Sequence, residues 1–99
     1  MKTLTSKQRA HLRSIAQNID ASFQIGKNGV TPELTEAISE ALDAREILKV
    51  SVLNNCMLDP KDICETLSER TKSIPVQVIG KKIVLFKPAK KNSKISLPQ

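Results

Sequence analysis

Two proline-marked helix starts, Thr31-Pro32 and Asp59-Pro60, each follow a strand-like run, and this repetition constrains the fold more than any other feature of the chain. A hydroxyl or carboxylate at the N-cap accepts a first-turn amide, and proline at the first helical position sacrifices no intrahelical hydrogen bond. The spacing predicts helices over 32–44 and 60–71. Leu34, Ala37, Ile38, Ala41 and Leu42 form the buried stripe of one, and Ile63, Cys64 and Leu67 that of the other. Ahead of them stand Phe23-Gln24-Ile25 and the β-branched, partly alternating run 47–53. Strand–helix–strand order implies parallel pairing through right-handed crossovers.

The two ends complete the pattern. Thr5-Ser6-Lys7-Gln8 matches a capping box, and Leu12, Ile15, Ala16 and Ile19 then share one face of a first helix over 6–18. Runs 76–79 and 82–86 flank Gly80-Lys81, and glycine at the first central position is the signature of a type II′ hairpin. Pro75 donates no ladder bond and is expected to start its strand. Ile83-Val84-Leu85-Phe86 is apolar on both strand faces, so helices should cover both sides of part of the sheet. The predicted fold is α/β in the order α-β-α-β-α-β-β.

At 99 residues the chain holds one modest core. No apolar stretch approaches the roughly 20 residues of a membrane span, and residues 1–20 contain no signal-peptide core, which predicts a cytoplasmic protein with no membrane partner. Cys56 and Cys64 lack C-x-x-C spacing and His11 is distant in sequence, so no metal is expected and both thiols should stay reduced. Glu36, Glu40 and Asp43 project from the solvated side of the second helix with no nucleophile nearby. With no Walker motif, dinucleotide fingerprint or triad, the sequence predicts no enzyme, no cofactor and no small-molecule substrate.

Charge and glycine placement point to a polyanion. The net charge is +6, and its distribution is uneven. Residues 1–19 contain Lys2, Lys7, Arg9 and Arg13 and no acid; residues 71–99 contain Lys72, Lys81, Lys82, Lys87, Lys90, Lys91 and Lys94 and no acid. The acids crowd into 33–46 and 59–69. Lys7 sits in the first turn of its helix, where the macrodipole disfavours a cation, a small local conflict of the kind found at functional surfaces. Between the first strand and the second helix, Gly26-Lys27-Asn28-Gly29 forms a turn whose glycines let the backbone approach a ligand and whose amides are free to bond phosphate oxygens. Lys27 adds charge at its tip. The RNA-contact candidates are therefore Gly26, Lys27, Asn28 and Gly29, with Lys7, Arg9 and Arg13 on the first helix and Lys81, Lys82, Lys87, Lys90 and Lys91 towards the end. Residues 88–99 read as a basic arm outside the domain at 1–87. With no Trp or Tyr and only Phe23 and Phe86, aromatic base-stacking platforms are missing, which predicts recognition through RNA backbone and shape.

Taken in order, Thr5 to Arg13, Gln24 to Thr31, Arg45 to Val50 and Val76 to Lys87 resemble successive signatures of the CRM domain family in its bacterial stand-alone, YhbY-like form. The resemblance spans residues 4–87. It implies a mixed four-stranded sheet with three helices, similar to the C-terminal domain of translation initiation factor three, and RNA binding through a KH-like G-x-x-G loop that falls on Gly26, Lys27, Asn28 and Gly29. It further implies association with ribosomal RNA in precursors of the large ribosomal subunit, and a role in that subunit's assembly. Phe86 departs from the tyrosine common in the family and lacks its hydroxyl. The alternative reading is a protein-interaction module docking through the acidic face of the second helix.

Overall fold

The computed structural model describes residues 4–88. The elements follow as α1 (Ser6–Ala16), β1 (Phe23–Ile25), α2 (Pro32–Arg45), β2 (Ile47–Val52), α3 (Pro60–Thr71), β3 (Ile74–Ile79) and β4 (Lys82–Phe86). They form one mixed sheet in the order β1-β2-β4-β3. β1 and β2 run parallel around the α2 crossover, while β4 lies antiparallel between β2 and β3. The α3 crossover therefore spans β4 instead of joining neighbouring strands.

All three helix starts act through the residues that marked them. Thr5 and Gln8 form a reciprocal capping box, Thr31 Oγ1 accepts the Leu34 amide at 3.1 Å, and Asp59 Oδ1 accepts the Lys61 amide at 2.9 Å. α3 has the predicted bounds. α1 ends two residues earlier than expected because the chain tightens: the amides of Asn18 and Ile19 donate three residues back, to Ile15 and Ala16. α2 runs one residue further and stops at Glu46, whose φ of +68° turns the chain directly into β2. β2 closes at Val52, one residue before the predicted end. In the hairpin, Gly80 has φ +56° and Lys81 is not left-handed, in keeping with the type II′ signal.

Side-chain alternation divides the core between two sides of the sheet. Leu48, Val50, Val52, Ile83 and Leu85 pack with Ile38 and Leu42 of α2 and Ile63, Cys64 and Leu67 of α3. Ile47, Val84 and Phe86 point the other way, onto Leu12 and Ala16 of α1. The apolar run in β4 thus serves both layers.

β3 corrects one sequence expectation. It begins at Ile74, so Pro75 is its second residue, and the register slips between Pro75 and Gln77. Val76 is the extra residue of a β-bulge. The slip lets Ile74 and Val76 pack with α1 while Val78 packs towards α2 and α3, which simple alternation from Ile74 would forbid.

Candidate nucleic-acid interface

β1 and β2 point their carboxyl ends the same way, so the β1–α2 loop and the β2–α3 loop emerge side by side, at the end of a parallel pair where ligands usually bind. The β3–β4 turn joins them, because Val52 donates its amide to the Lys81 carbonyl at 2.7 Å. One pole of the sheet thus gathers residues 26–31, 53–59 and 80–81.

Within the first loop, the Gly29 amide donates to the Gly26 carbonyl at 3.0 Å and closes a four-residue turn. Gly29 has φ +66°, the left-handed region that a side chain disfavours. Its N–H is spent inside the turn, whereas the amides of Lys27, Asn28 and Val30 have no hydrogen-bond partner among the described residues. Gly26 serves by a close approach: a Cβ there would lie 3.3 Å from Asn55 Oδ1. Lys27 and Asn28 are exposed, and with Gln24, Thr31 and Asn55 they line a shallow groove beside the turn. The start of α2 lies directly behind, adding the positive end of its macrodipole.

Lys27, Lys81 and Lys82 meet at this pole. Lys81 Nζ donates to Asn54 Oδ1 at 2.6 Å and Lys82 Nζ to Ser51 Oγ at 3.0 Å; both partners are neutral, so each cation stays uncompensated. The other basic candidates lie elsewhere. α1 covers the half of the sheet distant from the loop, and its Lys7 and Arg13 are exposed with no partner among the described residues. Arg9 is half-buried and donates to the carbonyls of Pro75 at 2.7 Å and Val76 at 2.8 Å. Lys87 follows the far end of β4 and is paired with Asp43 at 2.8 Å. Lys90, Lys91 and the rest of the basic arm lie outside the described residues.

The sheet also sorts the charges. α2 and α3, which carry Glu33, Glu36, Glu40, Asp43, Asp62, Glu65 and Glu69, pack on the same side, whereas α1 contains no acid. On the α1 side, beyond the helix, strand register sets Gln24, Lys49, Ser51, Gln77 and Lys82 on one face. Lys49 was missed in the sequence because it interrupts an apolar strand; its alternation with the inward Leu48 and Val50 was the available signal.

Cys64 is buried, and desolvation raises its thiol above the ordinary pKa. Among the described residues no three His, Cys, Asp or Glu side chains converge to hold a metal, and no helix is long and apolar enough to cross a membrane.

Residues 4–87 match the CRS1/YhbY (CRM) domain. The chain belongs to this family. Among its CRM relatives, the "Probable RNA-binding protein YqeI" of Bacillus subtilis is 48% identical over 95 residues, covering 96% of this chain and 99% of its own. An "RNA-binding protein" of Haemophilus influenzae is 32% identical over 99 residues, covering 100% of this chain and 99% of its own. A Staphylococcus aureus protein whose structure was determined in solution has the same fold, with a TM-score of 0.81 and 49% identity over 97% of this chain and 100% of that one. The CRM assignment agrees with the mixed four-stranded sheet and three helices, the architecture expected from the resemblance.

Proposed function

We propose that this CRM protein binds RNA through the 26–29 turn and that its physiological target is ribosomal RNA in precursors of the large subunit, whose assembly it assists in the cytoplasm without catalysing a reaction. The observation that carries the RNA reading is the set of unbonded amides on Lys27, Asn28 and Val30 at a closed turn that bears Lys27 and adjoins the uncompensated Lys81 and Lys82. Preorganised amides bond phosphate oxygens without further ordering, and the adjacent cations supply the sequence-independent electrostatic attraction. From the turn, the strand has a polar path over Gln24, Lys82 and Lys49 towards the exposed cations of α1. The names of the relatives support RNA as the ligand, and the ribosomal target follows from the family resemblance.

Gly26→Asp tests the clamp, because it sets a carboxylate beside the amides without touching the left-handed position at Gly29. RNA affinity measured by fluorescence anisotropy should fall more than about tenfold, with the circular dichroism spectrum unchanged. Unaltered affinity would refute the clamp. Crosslinking in growing cells tests the target separately: contact nucleotides should map to large-subunit ribosomal RNA and its precursors, and a map dominated by other transcripts would reject the ribosomal assignment.

A further inference from the structure

Four large hydrophobic side chains stand exposed among the described residues: Met57 at 94%, Ile79 at 60%, Leu58 at 50% and Leu53 at 36%. Single exposed apolar residues are ordinary, but a cluster is informative. Three of these occupy the β2–α3 loop, and Ile79 ends β3 at the same pole of the sheet. The loop is held in place, since Leu53 donates its amide to the Ile25 carbonyl at 2.8 Å and accepts the Cys56 amide at 3.1 Å. Met57 is therefore presented by an anchored turn.

This apolar shelf abuts the phosphate turn directly. A Cβ on Gly29 would lie 3.1 Å from Leu58 Cδ1, and one on Gly26 would lie 3.7 Å from Leu53 Cδ1. Glycine at both positions leaves no side chain between shelf and turn. A nucleotide carries its base one ribose away from its phosphate, so a strand held by the turn presents bases to its immediate neighbours. On one side these neighbours are Leu53 and Leu58, with the exposed Met57 preceding Leu58 in the same loop and the Asn55 side chain, which has no partner among the described residues, beside Gly26. Phe86 is buried and Phe23 half-buried on the α2–α3 side, so neither supplies an exposed ring here, and the aliphatic and thioether groups are the exposed apolar surfaces at this pole. The thioether of Met57 is polarizable and adapts to a flat partner.

Resting on the RNA reading above, we infer that Leu53, Met57 and Leu58 form a nucleobase site that takes unpaired bases from the strand whose phosphates lie on the 26–29 turn. The site makes the protein a reader of single-stranded segments, where the sequence alone suggested backbone and shape recognition. Paired bases are stacked inside a helix and cannot reach the shelf; bases in loops and bulges can splay onto it. Charge favours a nucleic-acid occupant, because Lys27 and Lys81 flank the apolar groups. Area disfavours a stable protein partner, since three side chains fall well short of the roughly 1,200–2,000 Å² of a specific interface.

The test compares the full chain with Met57→Ser and with Met57→Ser/Leu58→Ser on three fluorescent probes of equal length: oligouridylate, an abasic strand with the same phosphates, and an RNA duplex. Wild type should bind oligouridylate at least about tenfold more tightly than the abasic strand and the duplex. The double variant should lose most of that preference by weakening on oligouridylate alone, with the salt slope unchanged and the melting temperature confirming the fold. Met57→Ser, at a nearly fully exposed position, should show part of the same loss even if Leu58→Ser disturbs the loop. Equal wild-type affinity for oligouridylate and the abasic strand would overturn the nucleobase site while leaving the phosphate clamp standing. Retention of the full base preference by both variants would also overturn it and place base contact elsewhere on the protein. Failure of wild type to bind any of the probes would reject the RNA reading itself.

Discussion

Arg9 Nη1 lies 2.8 Å from the carbonyl oxygen of Val76 and also reaches that of Pro75, so a guanidinium on the first helix satisfies both acceptors at the β3 bulge. β3 is the edge strand of the sheet, and a charged donor on α1 meets the two carbonyls beside its bulge. Arg9 is thus a structural tie between α1 and the sheet. Replacing it with Ala should lower unfolding stability by about 1–2 kcal/mol, read as a lower urea midpoint at unchanged slope. Lys7→Ala and Arg13→Ala, at exposed positions without partners among the described residues, should leave the midpoint nearly unchanged. An Arg9 variant as stable as wild type would show that the two bonds contribute nothing net.

That tie explains what sequence could and could not reveal. Thr31-Pro32 and Asp59-Pro60 fixed two helix starts locally, and α3 came out with the predicted bounds because every signal lay within its own span. The Val76 carbonyl at the bulge is met by a donor 67 residues away, a contact that no local pattern marks. α1 ends before its apolar face does, because Ile19 continues that face through a tighter turn at Asn18. At the site, the glycines, Lys27 and the charge separation were visible, but the order β1-β2-β4-β3 decides that Lys82 joins the loop and Lys87 does not. Leu53, Met57 and Leu58 lie in an aperiodic loop, and periodicity, the signal that assigns apolar residues to a face, gives nothing there.

The two loop glycines should respond differently to alanine. Gly29→Ala forces a Cβ into φ +66° and within 3.1 Å of Leu58 Cδ1, a conformational cost of roughly 1–2 kcal/mol. Gly26→Ala is tight only against the exposed Asn55 side chain at 3.3 Å, which can move aside, and meets Leu53 Cδ1 at an ordinary 3.7 Å, so its cost should stay near zero. Thermal melting of the two variants side by side checks the difference. Equal destabilisation would mean that the left-handed geometry at Gly29 is not what requires glycine.

Alkaline pH provides a test of the core. Burial raises the Cys64 thiol above its ordinary value of 9.0, so the native state holds its proton where the unfolded chain has already lost it. The unfolded state then binds fewer protons, and stability should fall as pH rises past that value, while below it this group contributes no pH dependence. Urea midpoints from pH 7 to 10 should decline more steeply for wild type than for Cys64→Ala, which removes the titrating group at the expense of a small cavity and a uniform loss. Parallel curves would show that Cys64 ionisation does not limit stability in this range.

Salt dependence separates lysines that share a formal charge but differ in pairing. Lys27 is exposed on the turn, and Lys81 and Lys82 are bonded to the neutral side chains of Asn54 and Ser51, so all three present a full positive charge at the pole proposed to bind RNA. Lys87 stands at the far end of the sheet, its charge offset by Asp43. If each of the first three neutralises one phosphate, substituting it with Ala should flatten the slope of log affinity against log salt by about 0.7–0.9, whereas Lys87→Ala should leave the slope unchanged. Loss of the Lys87–Asp43 pair should cost no more than about 1 kcal/mol of stability, since both groups are partly exposed. The basic arm enters the same measurement: removing residues from Lys90 onward deletes Lys90, Lys91 and Lys94, and if each contacts a phosphate the slope should flatten by roughly two to three units. A truncated protein that keeps the full slope would assign the electrostatic attraction to the folded domain. In that case the Lys27, Lys81 and Lys82 variants, with those on α1, should together account for the whole salt dependence.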